Sequence, residues 1–239
     1  MENPRRRFVL QSLLQSAALL AGAPLIQASP MSHLVLLGDS IFDNGRYTDG
    51  KPDVIAQLRR QLAAGWKSSL LAVDGATTEG IAAQLARLPG DATHLVMSIG
   101  GNNALMQQQL LDTPVRSSAD AFTLLARAAQ QFESAYRRAV AACLAQRLPL
   151  AVCTIYNGNF PDPEYRQRVA VALAAFNDVI LRVGVEQRLT VIELRHVCTI
   201  PADYANTIEP SSEGARKIAH AIIRATSGTA APGARVIGA

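Results

Sequence analysis

Short apolar runs alternate with longer amphipathic stretches between residues 33 and 226, a pattern typical of α/β proteins. The apolar runs are rich in Val, Leu and Ile and are flanked by Gly, Pro or polar residues, which favours buried parallel strands. These runs predict strands at residues 33–38, 68–73, 94–99, 150–155 and 190–194.

Apolar residues at helical spacing occupy the stretches between these runs. They predict helices at residues 52–64, 78–88, 118–147, 164–187 and 211–226. Because crossovers between parallel strands are right-handed, such helices cover both faces of a sheet. We therefore predict one α/β domain over residues 31–226, with three α/β/α layers and a five-stranded parallel sheet of flavodoxin-like type. The Gly- and Ala-rich residues 227–239 are predicted to be a flexible tail.

The composition is that of a globular protein, with 239 residues of which 49% are hydrophobic and 18% charged. The net charge of +4 comes in part from Arg5, Arg6 and Arg7, so the remainder is closer to neutral. Aromatic residues make up only 5% and are not interleaved with basic runs, which argues against a nucleic-acid partner. No protein partner is predicted.

Cysteine and histidine do not form a metal-binding pattern. The three cysteines lie in apolar segments without a C-x-x-C pair, so we interpret them as core residues. The four histidines are too scattered to predict a zinc site. We expect no metal and no other cofactor. The residues concerned are Cys143, Cys153, Cys198, His33, His94, His196 and His220.

The first 28 residues resemble a twin-arginine export signal, with arginines before Phe8 and a moderately apolar stretch that ends in small residues. Cleavage is expected after Ala23 or Ala28. Polar residues interrupt the stretch, which is short beside the roughly 20 apolar residues of a membrane span, so no stable span is expected. This interpretation predicts a periplasmic or secreted protein. The alternative is translation from Met31, which would give a cytoplasmic protein.

Candidate chemistry lies in the loops that follow the predicted strands, where ligands bind in sheets of this kind. Ser40 follows the first strand and could be a nucleophile, or simply a helix cap. Gly75 and Asn102 follow the second and third strands. The backbone N–H groups of Ser40 and Gly75 and the Asn102 amide could together stabilise an oxyanion. The alternatives are a turn glycine and an Asx-turn residue.

These loops resemble those of the SGNH/GDSL hydrolases, named for conserved Ser, Gly, Asn and His residues. The sequence V35-L36-L37-G38-D39-S40-I41 is similar to the first block, A72 to T78 to the second, and I99-G100-G101-N102-N103 to the third. The resemblance implies the SGNH hydrolase fold and cleavage of a carboxylic ester through an acyl-enzyme on Ser40. It implies a small-molecule or acylated substrate, which could be a lipid acyl ester, an acetylated sugar, a short soluble ester or a thioester.

The fourth block departs from the family pattern, which is usually D-x-x-H-P. Here the aligned sequence is N206-T207-I208-E209-P210, so Asn206 and Glu209 stand at the Asp and His positions. Pro210 and the following helix support this register. The usual base and its orienting carboxylate are therefore both replaced.

Three hypotheses address the missing histidine. Glu209 could accept the Ser40 proton, with Asn206 holding the carboxylate, provided that burial raises the Glu209 pKa. His196, two residues after the fifth strand, could supply the base instead, or be a solvated loop residue. The third hypothesis is a catalytically silent ligand-binding protein that keeps the fold.

The export hypothesis predicts that the native mature protein lacks the arginine-rich segment. N-terminal sequencing of protein from the native cell should give a first residue directly after Ala23 or Ala28. A start at Met31 or Ser32 would contradict an exported precursor and support the shorter translation product.

Overall fold

The computed structural model describes residues 31–227 and 233–238, so the predicted export signal lies outside the described residues. The described chain contains a six-stranded parallel sheet with the order β2-β1-β3-β4-β5-β6. The strands are β1 (Ser32–Gly38), β2 (Trp66–Leu70), β3 (His94–Ser98), β4 (Leu150–Cys153), β5 (Thr190–Ile192) and β6 (Arg235–Ile237).

Six helices connect and cover these strands. They are α1 (Val54–Gln61), α2 (Ile81–Leu85), α3 (Gly101–Leu105), α4 (Ser118–Leu144), α5 (Pro163–Glu186) and α6 (Ser212–Thr226). No helix of residues 31–227 and 233–238 combines the length and apolar character needed to cross a membrane.

The core has two layers because both faces of the sheet are covered. Leu34 and Leu36 of β1 face the cluster that includes α1 and α6, whereas Val35 and Leu37 face the cluster that includes α2, α4 and α5. All four side chains are fully buried. Alternate residues of a strand point to opposite faces, so a continuous apolar strand needs helices on both sides. The predicted three-layer α/β/α architecture is confirmed.

The prediction of five strands was wrong by one. Arg235–Ile237 adds β6 beside β5, within the segment for which the sequence predicted a flexible tail. This strand has only three residues, and Val236 is 58% exposed. An edge strand this short and this exposed has no buried apolar run by which the sequence could reveal it.

The strand order brings three loops together at one edge of the sheet. β1 lies between β2 and β3, and Gly38 at its end is paired with Ser98 at the end of β3. Gly38 has a φ of 133°, and a Cβ atom there would lie 1.8 Å from the Ser98 carbonyl oxygen. The side-chain oxygen of Gln84 accepts a hydrogen bond from the Gly38 N–H at 2.8 Å, and its amide nitrogen donates to the Gly38 carbonyl at 2.7 Å. Only glycine allows this close approach, which fixes where the next residues begin.

Gly38→Ala should destabilise the fold severely, by about 4 kcal/mol or more, because it adds both a backbone clash and a strained φ. Gly90→Ala is the matched control, since no atom lies within 4 Å of its added Cβ and its φ is not positive. Thermal unfolding followed by circular dichroism would measure both. A Gly38→Ala protein with an unchanged Tm would contradict the packing described here.

Candidate active site

Ser40 lies two residues after β1 and only 7% of it is exposed. Its hydroxyl donates a hydrogen bond of 3.1 Å to Oε1 of Glu209, a residue 169 positions later in the chain. Two of the predicted site residues are therefore in direct contact. The direction of this bond suits transfer of the serine proton to the carboxylate.

Glu209 is a buried carboxylate that is incompletely satisfied. The residue is 5% exposed, and its Oε2 atom is buried without a hydrogen-bonding partner among the described protein atoms. Desolvation raises its pKa, the hydrogen bond from Ser40 lowers it, and the nearby negative charge of Asp74 raises it further. Its pKa lies above the usual carboxyl value, which makes the carboxylate a stronger base.

The turn that carries Glu209 is held through its backbone. Asn206 Oδ1 accepts hydrogen bonds from the N–H groups of Ile208 and Glu209, both at 2.9 Å. Tyr156 donates its hydroxyl to the Ile208 carbonyl at 2.5 Å. Asn206 thus orients the turn, whereas the sequence hypothesis had it hold the carboxylate itself.

Asn44 joins the Ser40 loop to the Glu209 turn. Its side chain is fully buried, donates to the Pro210 carbonyl at 3.0 Å, and accepts from the Val54 N–H at 2.9 Å. Because an amide can donate and accept at once, one residue connects the first loop, the start of α1 and the last loop. This arrangement fixes the separation of Ser40 and Glu209.

Backbone and amide donors lie in the Ser40 loop and in the loops that follow the two strands beside β1. In the part of the chain that the structure describes, the N–H groups of Ser40 and Gly75 donate to no protein acceptor. Asn102 donates one amide hydrogen to the Ala76 carbonyl at 2.8 Å, which leaves its second amide hydrogen available. Asn103, which stands where the family usually has Asp, braces the same loop through two 3.1 Å bonds with Thr78. The Asn102 side chain therefore bonds the loop that contains Gly75, and these two loops follow the strands on either side of β1.

A polar cluster stands beside Gly75. We use this name for Asp43, Arg46, Tyr47 and Asp74. Asp74 accepts hydrogen bonds from the Tyr47 hydroxyl at 2.9 Å and from Arg46 at 3.1 Å, while its own N–H donates to Asp43 at 3.0 Å. The Arg46 side chain is 72% exposed, so this side of the site is open to water.

Asp39, next to Ser40, carries a second buried carboxyl. Its Oδ1 accepts from the Ile41 N–H at 3.1 Å, as expected for a residue that satisfies loop backbone. Burial raises the Asp39 pKa to about 7, the bond from Ile41 opposes the shift, and the charge of Glu209 adds to it. Because like charges repel in a buried site, it is unfavourable for Asp39 and Glu209 to be ionised at the same time.

None of the histidines lines the cavity that contains Ser40, within the ranges that the structure describes. His196 and His220 line a separate cavity of about 220 Å³. His33 is buried at the opposite edge of the sheet, where its ring nitrogens lie 2.8 Å from Asp91 Oδ1 and 2.8 Å from Ser69 Oγ. The hypothesis that His196 replaces the missing base receives no support from this placement.

A cavity of about 570 Å³ opens beside Ser40, Glu209 and Asn102. Its walls come from the loops after β1, β3 and β4, from α3 and the segment that follows it, from α4 and α5, and from the loop before α6. The loop Y156 to F160, which follows β4, contributes Tyr156, Asn157, Gly158 and Phe160 to the wall. The described residues include no group of three or more His, Cys, Asp or Glu side chains placed to hold a metal ion.

The sequence profile of the GDSL-like lipase/acylhydrolase family matches residues 36–217. The chain belongs to this family, as its first three blocks had suggested. A comparison with curated protein sequences finds no match.

Solved structures with the same fold come from lipases and esterases. An extracellular lipase from Streptomyces rimosus has 16% identity and a TM-score of 0.64, over 82% of this chain and 100% of that one. A lipase from a goat rumen metagenome has 17% identity and a TM-score of 0.65, over 84% and 100%. An acetylxylan esterase from Geobacillus stearothermophilus has 18% identity and a TM-score of 0.58, over 83% and 95%. The fold is that of the SGNH hydrolases.

Sequence reasoning missed three residues that position the site. Asn44 and Tyr156 act on the Glu209 turn from distant parts of the chain, and Asp74 changes the charge around Glu209. Asn44 follows Ser40 closely in the chain. The sequence shows only a polar side chain shortly before a helix, which does not indicate the carbonyl group to which it will donate a hydrogen bond.

The raised pKa of Asp39 predicts a pH-dependent stability. A carboxyl whose folded-state pKa is raised from 3.8 to about 7 makes the folded protein bind more protons between these values, so stability falls as pH rises through this window. Asp39→Asn removes the charge and can still accept from Ile41. The variant should be more stable than the wild type at pH 8, by at most about 4 kcal/mol, with the difference disappearing towards pH 4.

Urea unfolding at pH 4 to 8 would measure this effect. Asp178→Asn serves as the control, because that carboxylate is 64% exposed on α5 and forms a surface pair with Arg182. Wild type and Asp39→Asn with the same slope of stability against pH would contradict the prediction.

Proposed function

We propose that the protein is a serine ester hydrolase in which Ser40 is the nucleophile and Glu209 is the general base. The observation that carries the proposal is the 3.1 Å hydrogen bond from Ser40 Oγ to Glu209 Oε1, in a site where the second carboxylate oxygen is buried without a partner among the described residues. A family profile over residues 36–217 supports the reaction class.

In the first half of the reaction, Ser40 Oγ attacks the ester carbonyl as its proton passes to Glu209 Oε1. The resulting oxyanion would receive hydrogen bonds from the N–H groups of Ser40 and Gly75 and from the free amide hydrogen of Asn102. Protonated Glu209 then donates its proton to the departing alkoxide, which leaves as an alcohol. The acyl group remains on Ser40.

In the second half, water attacks the acyl-enzyme and gives its proton to Glu209, and the acid product leaves as Ser40 Oγ takes that proton back. An unperturbed carboxylate is a weak base for a serine hydroxyl, so the raised pKa of Glu209 is essential to this proposal. Asn206 and Tyr156 act as positioning residues, because their hydrogen bonds hold the backbone of the turn that carries Glu209.

Ser40→Ala should abolish turnover of activated esters. Glu209→Gln should lower kcat/KM by about 10²–10⁴-fold, the range supplied by a general base. Glu213→Gln is the matched control, since its side chain is 48% exposed at the start of α6 and should leave kcat/KM unchanged. In the wild type, kcat/KM should rise with pH through a value above the ordinary carboxyl range, because Glu209 must be ionised and its pKa is raised.

Intact mass after treatment with a small fluorophosphonate tests the nucleophile without a substrate. Wild type should gain one adduct, Ser40→Ala none, and Glu209→Gln should react much more slowly. An unreactive but folded wild type would overturn the proposal and favour a catalytically silent ligand-binding protein. Labelling of Glu209→Gln at the wild-type rate would remove Glu209 as the base while leaving Ser40 as the nucleophile.

A further inference from the structure

The two sides of Ser40 differ in chemistry, and this difference bears on the substrate. We propose that the cavity of about 570 Å³ binds the acyl chain of the ester, that this chain is of medium to long length, and that the alcohol lies towards the polar cluster. This inference rests on the proposed function, because it assigns the two halves of an ester to the two sides of Ser40.

The inner wall of the cavity is apolar. Buried and half-buried side chains from the ends of β3 and β4, from α3, and from α4 and α5 line it. Burial of apolar surface is non-directional and roughly proportional to area, so such a wall favours a hydrocarbon chain over a hydroxylated group. The residues of this inner wall are Ile99, Leu105, Leu125, Ile155, Val169 and Phe176.

The apolar wall continues to the protein surface. Val115, Phe122 and Val171 also line the cavity, and they are 43%, 67% and 61% exposed. Large apolar side chains left in water next to a cavity are typical of a binding groove for an apolar ligand. An acyl chain longer than the buried part of the cavity could therefore continue along these exposed apolar side chains.

Buried polar side chains also line the cavity, but the hydroxyls of Thr154 and Tyr156 already donate to Glu193 and to the Ile208 carbonyl. Apart from the carboxyls beside Ser40, the charged lining residue is Arg168, which is exposed, as are Gln108 and Gln167. A sugar bound in the interior would need several buried hydrogen-bonding partners to replace water. Away from Ser40, the inner wall therefore offers few free hydrogen-bonding partners among the described residues.

The polar cluster forms the other side of Ser40. None of its four residues lines the cavity, and Arg46 is largely exposed. In acyl transfer the alcohol leaves and water enters while the acyl group stays on the serine. The open, polar side therefore suits the alcohol and the incoming water, and the enclosed apolar side suits the group that stays.

Two isomeric esters separate the halves of the substrate. Ethyl octanoate and octyl acetate have the same atoms, but the long chain is the acyl part in the first and the alcohol part in the second. Each buried methylene can raise kcat/KM by up to about fourfold. We expect kcat/KM to be at least about tenfold higher for ethyl octanoate. A preference for octyl acetate, or equal rates, would overturn the assignment of the cavity to the acyl chain.

A matched pair of variants tests whether this cavity is responsible. Ala172 on α5 lines the cavity, whereas Ala174, two residues further along the same helix, is exposed and does not. Ala172→Phe should reduce kcat/KM for p-nitrophenyl octanoate at least about tenfold while leaving p-nitrophenyl acetate within about twofold. Ala174→Phe should leave both substrates unchanged. An unchanged octanoate-to-acetate ratio in Ala172→Phe would overturn the inference.

Labelling by the small fluorophosphonate keeps the two proposals distinguishable. If wild type is labelled at Ser40 but shows no preference for the longer acyl chain, the serine hydrolase proposal stands and the acyl-chain inference fails. If wild type is folded and unlabelled, both fail, because the proposed function itself is wrong. Thermal unfolding of each variant shows that a lost rate is not a lost fold.

Discussion

A carboxylate held away from water beside a serine hydroxyl is the interaction on which the rest of this site depends. Ionised carboxylates are strongly hydrated, so the burial of Glu209 is unfavourable unless the surrounding structure enforces it. Asn206, Tyr156 and Asn44 provide that enforcement through bonds to the backbone on either side of Glu209. Within the described part of the chain, the carboxylate itself has one hydrogen-bonding partner, the hydroxyl of Ser40.

The sheet supplies the frame for this arrangement. Because β1 lies between β2 and β3, a residue just after β1 necessarily has the loops of both neighbours beside it. The contact at Gly38 brings the ends of β1 and β3 together, so the Ser40 and Asn102 loops start from adjoining points. The loop that precedes α6, from a distant part of the chain, then completes the site by bringing Glu209 to Ser40.

The architecture and the first three site blocks could be predicted from the sequence, because buried parallel strands are continuous apolar runs and their loops share one edge. The predicted first and last residues of the strands were less accurate. The second strand covers Trp66–Leu70, not residues 68–73, since the apolar residues after Leu70 belong to the loop that leads to Gly75. The five-residue α3 and the exposed β6 carry too little periodicity to predict.

The details of the site were beyond sequence reasoning for a different reason. The block pattern predicted that Glu209 lies in the loop before the last helix, but the contact of its carboxylate with Ser40 depends on a turn geometry that distant residues set. Nothing near Tyr156 in the sequence indicates that its hydroxyl meets the Ile208 carbonyl. Spacing along the chain indicates which residues lie at the same edge of the sheet. The direction of each side chain, however, depends on how the folded protein packs around it.

In the proposed mechanism, a carboxylate at position 209 in place of an imidazole changes how charge develops during the reaction. A neutral imidazole that takes a proton becomes a cation while the substrate becomes an anion, so opposite charges are created together. Glu209 begins as the anion and becomes neutral, so the negative charge only moves a few ångströms, from its carboxylate to the substrate oxygen. Relocating one charge within a poorly hydrated pocket avoids the creation of a new ion pair there. In that mechanism the base adds no positive charge beside the oxyanion, so the proposed donors of Ser40, Gly75 and Asn102 carry more of its stabilisation.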